Sequence, residues 1–164
     1  MARAIDESIV FMSSYATTKE GLKKLKAELD ELKSVRRLEI ADRIAKAKEH
    51  GDLSENAEYH DAKDAMAFLE GRISELTDFI TKAVVTEPTS TEFVNIGCRV
   101  RCEAGDKKKE YHIVGPKESD PGAGKISNDS PLGIALLGRK KGEAFEYMLP
   151  NGAKTAYRII DISC

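Results

Sequence analysis

Residues 17–49 read TTKEGLKKLKAELDELKSVRRLEIADRIAKAKE, with apolar residues at Leu22, Leu25, Leu29, Leu32 and Val35, then at Ile40, Ile44 and Ala47. The early steps of 3, 4, 3 and 3 mark a narrow seam of the coiled-coil kind. Lysines and glutamates fill the other positions, as on a solvated helix face. A second stretch carries Ala62, Ala65, Leu69, Ile73, Leu76, Ile80 and Ala83, again at steps of 3 and 4. Two helices with one stripe each, joined by a short break at His50-Gly51-Asp52, predict an antiparallel hairpin. About 30 residues per arm at 1.5 Å per residue give a rod of about 45 Å, too thin to enclose a pocket.

The rest of the chain has another character. All five prolines (Pro88, Pro116, Pro121, Pro131 and Pro150) lie at or beyond position 88, as do all but three of the 12 glycines (Gly21, Gly51 and Gly71). Both residues break helices, so the long helices belong to the first half and a boundary falls in TEPTST, residues 86–91. This predicts a helical domain over 1–87 and a second domain over 88–164. In the second, 98–102 (CRVRC) and 109–114 (KEYHIV) flank an Ala-Gly-Asp-Lys turn, and 144–149 and 154–162 flank Pro150-Asn151-Gly152. Ser130 followed by PLGIALLG reads as a short helix, with Ser130 as cap and Pro131 in the first turn. The fold class is α+β in two domains, a long helical hairpin and a small antiparallel sheet with one short helix.

Composition limits the function. Among 164 residues, 26 Lys and Arg face 28 Asp and Glu, a net charge of −2. Binding to nucleic acid through bulk positive charge is thereby excluded. No apolar run is long enough to span a membrane, and MARAIDESIV lacks the basic and apolar regions of a secretory signal. Cys98, Cys102 and Cys164 form no CxxC or Cys/His pattern, so neither a disulfide framework nor a zinc site is expected. A soluble protein of a reducing compartment follows.

The hairpin tip, near 50–56, holds the most distinctive chemistry. Glu49, Asp52, Glu55, Glu58, Asp61 and Asp64 place a carboxylate at every third position, with only Lys48 and Lys63 as basic neighbours. Such a tip repels nucleic acid and attracts a divalent cation. Two readings of Asp52 and Glu55 stand at this point. Asp-x-x-Glu opening a helix is a capping-box variant, favourable to the helix dipole. Alternatively, two hard oxygen ligands three residues apart can complete the shell of a Mg²⁺ whose other ligands come from elsewhere. His50 and His60 suit Zn²⁺ better than Mg²⁺ and lack a third ligand, so they read as surface histidines.

GDLSENAEYH (51–60), preceded by LKKLKAELDELKSVRRLEIADRIAKAKEH and followed by AKDAMAFLEGRISEL, resembles the bacterial transcript cleavage factors of the GreA/GreB family. SNDSPLGIALLGRKKGE is similar to that family's C-terminal signature. The sparse basic residues along the rod favour the GreA type. The resemblance implies an N-terminal coiled coil and a C-terminal domain like the FKBP prolyl isomerases. It also implies a cytoplasmic, monomeric factor that stimulates RNA polymerase rather than an enzyme in its own right. The C-terminal domain would dock at the rim of the polymerase secondary channel, with Ser130 and Pro131 as contacts. The rod would carry its tip to the active centre when the nascent RNA 3′ end has backtracked. Asp52 and Glu55 match the acidic pair that stabilises a second, shared Mg²⁺, and Lys48 and Lys63 match basic positions near the extruded RNA. Leu38 stands where relatives often carry Pro.

Three rivals make different predictions. An inhibitor of the same shape would occupy the channel and release no short RNA. A prolyl isomerase would need an aromatic-lined pocket, whereas Phe93, Tyr111, Phe145, Tyr147 and Tyr157 read as sheet core. A coiled-coil adaptor would tolerate loss of both tip acids.

Overall fold

In the computed structural model, which describes residues 15–49, 55–88, 90–105, 107–148, 152 and 154–164, the periodic stretch is one unbroken helical arm. It comprises α1 (Lys19–Glu31), a π-helical turn (Leu32–Arg36) and α2 (Arg37–Lys48). The π turn falls where the seam takes its one long step, from Val35 to Ile40. There the Arg37 N–H donates to the Leu32 carbonyl five residues back. A wider turn absorbs the extra residue and returns Ile40, Ile44 and Ala47 to the inner face. Ser34 adds to the local deviation by donating from its hydroxyl to the Asp30 carbonyl at 2.7 Å.

The returning arm, α3 (Ala57–Lys82), is a single helix of 26 residues. Its pairing with the first arm is antiparallel: Arg72 meets Glu28 at 2.8 Å, Arg37 meets Glu70 at 2.7 Å, and the Asn56 side chain reaches Ala47 at 2.8 Å. These ion pairs are half-exposed and add little; the stripes hold the arms together. Leu25 and Ala47 are buried from the first arm, and Ala62, Leu69, Ile73, Leu76 and Phe79 from the second. Phe79 lies outside the stripe read from the sequence, and Val35 and Leu38 are exposed.

Residues Lys23–Lys82 form one compact unit, and the described residues up to Leu22 form a second with Ala83–Cys164. In that second unit the chain leading into α1 and the chain leaving α3 are joined by two short parallel strands, β1 (Ala16–Thr17) and β2 (Val84–Val85). Then follow β3 (Arg99–Ala104), β4 (Lys107–Val114), β5 (Lys125–Ser127), helix α4 (Pro131–Leu136), β6 (Ala144–Met148) and β7 (Lys154–Ser163). The five-stranded sheet has the order β5-β4-β3-β7-β6. Four strands pair antiparallel as expected, and β5, which carries no strand signal of its own, adds to β4 in parallel. A register shift between Arg101 and Cys102 marks a bulge against β7.

Alternation along β3 turns Val100 and Cys102 inward. They join Val94, Ile96, Ile113, Leu136, Ile159 and the aromatics Tyr111, Phe145 and Tyr157 in the core. Phe145 stacks on Tyr157 with ring centroids 5.6 Å apart, and Tyr147 meets Tyr157 edge-on at 6.0 Å.

The cysteines depart from expectation. Cys98 and Cys164, 66 residues apart in sequence, are joined by a disulfide. Neither lies in a recognisable motif; the β3–β7 register, which pairs Arg99 with Ser163, brings them together. Cys102 remains a free, buried thiol, and burial pushes its pKa up to about 11.

The start of α1 is fastened within its unit by one carboxylate. Glu118 accepts from the Thr17 hydroxyl (2.8 Å), the Thr18 N–H (2.8 Å) and the Thr18 hydroxyl (2.6 Å). The Thr18 hydroxyl in turn caps the helix by accepting from the Gly21 N–H at 2.9 Å. Glycine at position 21 leaves room for this carboxylate: a Cβ there would lie 1.9 Å from the Glu118 carboxyl carbon, which would have to move aside.

Candidate functional site

The hairpin tip is built around a side chain that the sequence did not single out. Asn56 precedes α3 and accepts through Oδ1 from the Tyr59 N–H at 3.0 Å, the geometry of an N-cap. Its Nδ2 donates to the Ala47 carbonyl in the last turn of α2 at 2.8 Å. That carbonyl lies in the last turn of the helix, where the Glu49 N–H turns back to it and to the Lys46 carbonyl. One amide thus starts the second arm and ends the first.

The capping-box reading is thereby corrected. Since α3 begins at Ala57 and its cap is Asn56, Glu55 stands outside the helix and cannot reach back as a first-turn residue. Its carboxylate is exposed at the end of the hairpin where Ala47 and Asn56 meet. Asp52, its predicted partner, and His50 lie outside the described residues. Glu49, Glu58, Asp61 and Asp64 are exposed too, as are Lys48 at the end of α2 and Lys63 in the second turn of α3. Tyr59 is half-buried, edge-on to His60 with centroids 5.6 Å apart. Among the described residues no three His, Cys, Asp or Glu side chains converge on a common metal position. The described donor set at the tip, exposed carboxylates, fits a hard cation shared with a partner.

A second cluster surrounds α4. Ser130 caps this helix, its hydroxyl accepting from the Gly133 N–H at 3.1 Å and donating to the Ser127 carbonyl at 2.7 Å. Ser127 also donates to the Asp129 carboxylate in a short contact. Gly133 lets the helix approach β5 closely, since a Cβ would meet the Ser127 carbonyl oxygen at 2.0 Å. The hydroxyl of Ser130 is therefore committed inward. Pro131 is exposed, and Ile134, one turn on, keeps 53% of its surface accessible while Leu136 is fully buried. The exposure of Ile134 is set by how the helix packs on Leu136 and Gly133 and carries no signal in the sequence.

Among the described residues, no helix is long and apolar enough to cross a membrane.

Residues 15–85 match the family described as "Transcription elongation factor, N-terminal", and residues 89–164 match "Transcription elongation factor, GreA/GreB, C-term". The chain belongs to the GreA/GreB family and is a transcription elongation factor rather than an enzyme itself. It is 48% identical over 139 residues to transcription elongation factor GreA of Caldanaerobacter subterraneus subsp. tengcongensis, covering 82% of this chain and 88% of that one. GreA of Clostridium beijerinckii is 44% identical over 153 residues, covering 91% and 95%. Among solved structures, GreA factor homolog 1 of Thermus thermophilus is similar at 29% identity and a TM-score of 0.41, covering 91% of this chain and 98% of that one.

Proposed function

We propose that this factor reactivates RNA polymerase whose nascent RNA 3′ end has backtracked, by carrying Asp52 and Glu55 into the polymerase active centre as ligands for a shared Mg²⁺. The observation that supports this most strongly is the Asn56 cap. With the helix start and the arm end both served by one amide, the Glu55 carboxylate is not consumed by capping and is exposed at the hairpin end.

When bound, the ion would polarise an RNA phosphodiester and lower the pKa of a coordinated water. The chain's own residues do the rest. Asp52 and Glu55 supply oxygen donors, too few to retain Mg²⁺ alone, so the site is complete only with carboxylates of the polymerase. Asn56, next in sequence to Glu55, ties the start of the second arm to the end of the first. Lys48 and Lys63 act as point charges toward RNA phosphates, offsetting the repulsion of the acidic tip. The docking role falls to the outer face of α4, where Pro131 and Ile134 offer apolar surface and Ser130 positions the helix. The factor acts as a monomer in the cytoplasm.

The test is RNA release from a stalled, backtracked elongation complex. The protein is expected to release short 3′ fragments. The Asp52→Asn/Glu55→Gln variant should release none while still competing with the unmodified protein for polymerase. Slowed synthesis with no fragment from the unmodified protein would identify a channel inhibitor instead.

A further inference from the structure

The disulfide occupies a part of the molecule that the elongation role does not use. Its two sulfurs are in unlike surroundings. Cys98 is fully buried, whereas Cys164 is exposed and lines an open cleft of about 310 Å³. That cleft is also walled by Lys19, Arg99 and His112, together with Glu20 and Glu87. The Lys19 ammonium is tied to Glu87 at 3.5 Å and the Arg99 guanidinium to Glu110 at 3.5 Å, so both cations are charge-compensated.

We propose that Cys98–Cys164 is a thiol–disulfide exchange site for low-molecular-weight thiols, entered at the Cys164 sulfur. Two observations converge on it. Exchange requires access to one sulfur, and Cys164 is exposed at the cleft whereas Cys98 is fully buried. A partner for the released thiol is in place, since Cys164 Sγ lies 3.7 Å from the Ser90 carbonyl oxygen. Cys102 does not compete, being buried and held protonated.

The chemistry balances without another reactant. A thiolate RS⁻ bonds to Cys164 Sγ, the S–S bond breaks, and Cys98 leaves as a thiolate that takes up one proton. A second RSH then displaces the adduct, giving RSSR and the Cys164 thiol. In reverse, oxidised RSSR rebuilds the bond and yields two RSH. The proposal rests on the elongation-factor reading in one respect. A factor working beside RNA polymerase is bathed in the cellular thiol pool, where a bond between cysteines is expected to be exchangeable rather than permanent.

Full-length protein equilibrated natively in graded mixtures of reduced and oxidised glutathione, then acid-quenched, alkylated and weighed intact, provides the test. Cys98 and Cys164 should titrate together as one two-thiol transition, with Cys102 modified only after denaturation. Mixed disulfide trapped during the titration should map to Cys164. Cys164→Ser should slow glutathione adduct formation in the native protein by about tenfold or more, and Cys102→Ser should leave the transition unchanged. Adduct on Cys98, a bond reduced only after denaturant is added, or two free thiols persisting in fully oxidised glutathione would each overturn the proposal. No polymerase enters this measurement, so its failure leaves the transcript-cleavage reading intact, and the converse holds.

Discussion

Replacing Asn56 by alanine removes a side chain that serves both arms near the tip. The loss can be sized from its two bonds. An N-cap amide contributes about 1 kcal/mol. The Nδ2 bond to the Ala47 carbonyl adds about 0.5–1.5 kcal/mol. Together these come to about 2 kcal/mol, which corresponds to roughly a thirtyfold rise in local opening. Native-state hydrogen exchange is the appropriate assay, because the Tyr59 N–H donates to the lost side chain and the His60 N–H to the Asn56 backbone. Both amides should exchange about thirtyfold faster, while amides near Leu76 and Phe79 keep their protection. Asn56→Asp separates the two bonds: it keeps the acceptor for Tyr59 and loses the donor to Ala47, so it should fall between the alanine variant and the unmodified protein. Unchanged exchange at Tyr59 and His60 in Asn56→Ala would refute the reasoning, as would equal acceleration along the whole of α3.

Gly21→Ala and Gly71→Ala should move stability in opposite directions. At 21 the new Cβ displaces the Glu118 carboxylate and its three hydrogen bonds, a net loss of about 2 kcal/mol even after the helix-propensity gain; at 71, where a Cβ meets nothing within 4 Å, only the gain of about 1 kcal/mol remains. Urea midpoints of the two variants would show this. Burial, and next the Arg99 charge, lower the His112 pKa below its ordinary 6.5. Between that lowered value and 6.5 the unfolded chain binds more protons, so stability should fall as pH drops through 6.5 and level off below the folded pKa. His112→Gln should flatten the dependence, and an unchanged slope in urea titrations across pH 5–7 would assign it to other groups.

Much of the architecture is legible because it is written in local periodicity. Leu25, Leu69, Ile73 and Leu76 lie buried along the stripes that announced the arms, and Ser130 caps the helix its sequence proposed. What escaped depends on contacts between distant residues. The β1–β2 pair is two residues long on each side and exists only because the chain returns to its starting point. The Cys98–Cys164 bond follows from strand register, which no cysteine spacing encodes. The cap escapes for a related reason: Asn56 also donates to the Ala47 carbonyl on the other arm, a contact that local pattern does not encode.

The most direct measurement is the Mg²⁺ dependence of RNA release from a backtracked elongation complex, followed with unmodified protein, Glu55→Gln and Asp52→Asn/Glu55→Gln. If the tip carboxylates lend ligands to a shared ion, Glu55→Gln should need about tenfold more Mg²⁺ for half-maximal release, corresponding to the loss of about 1.4 kcal/mol of ion binding, and the double variant should be inactive at every concentration. Identical Mg²⁺ curves for all three proteins would contradict it.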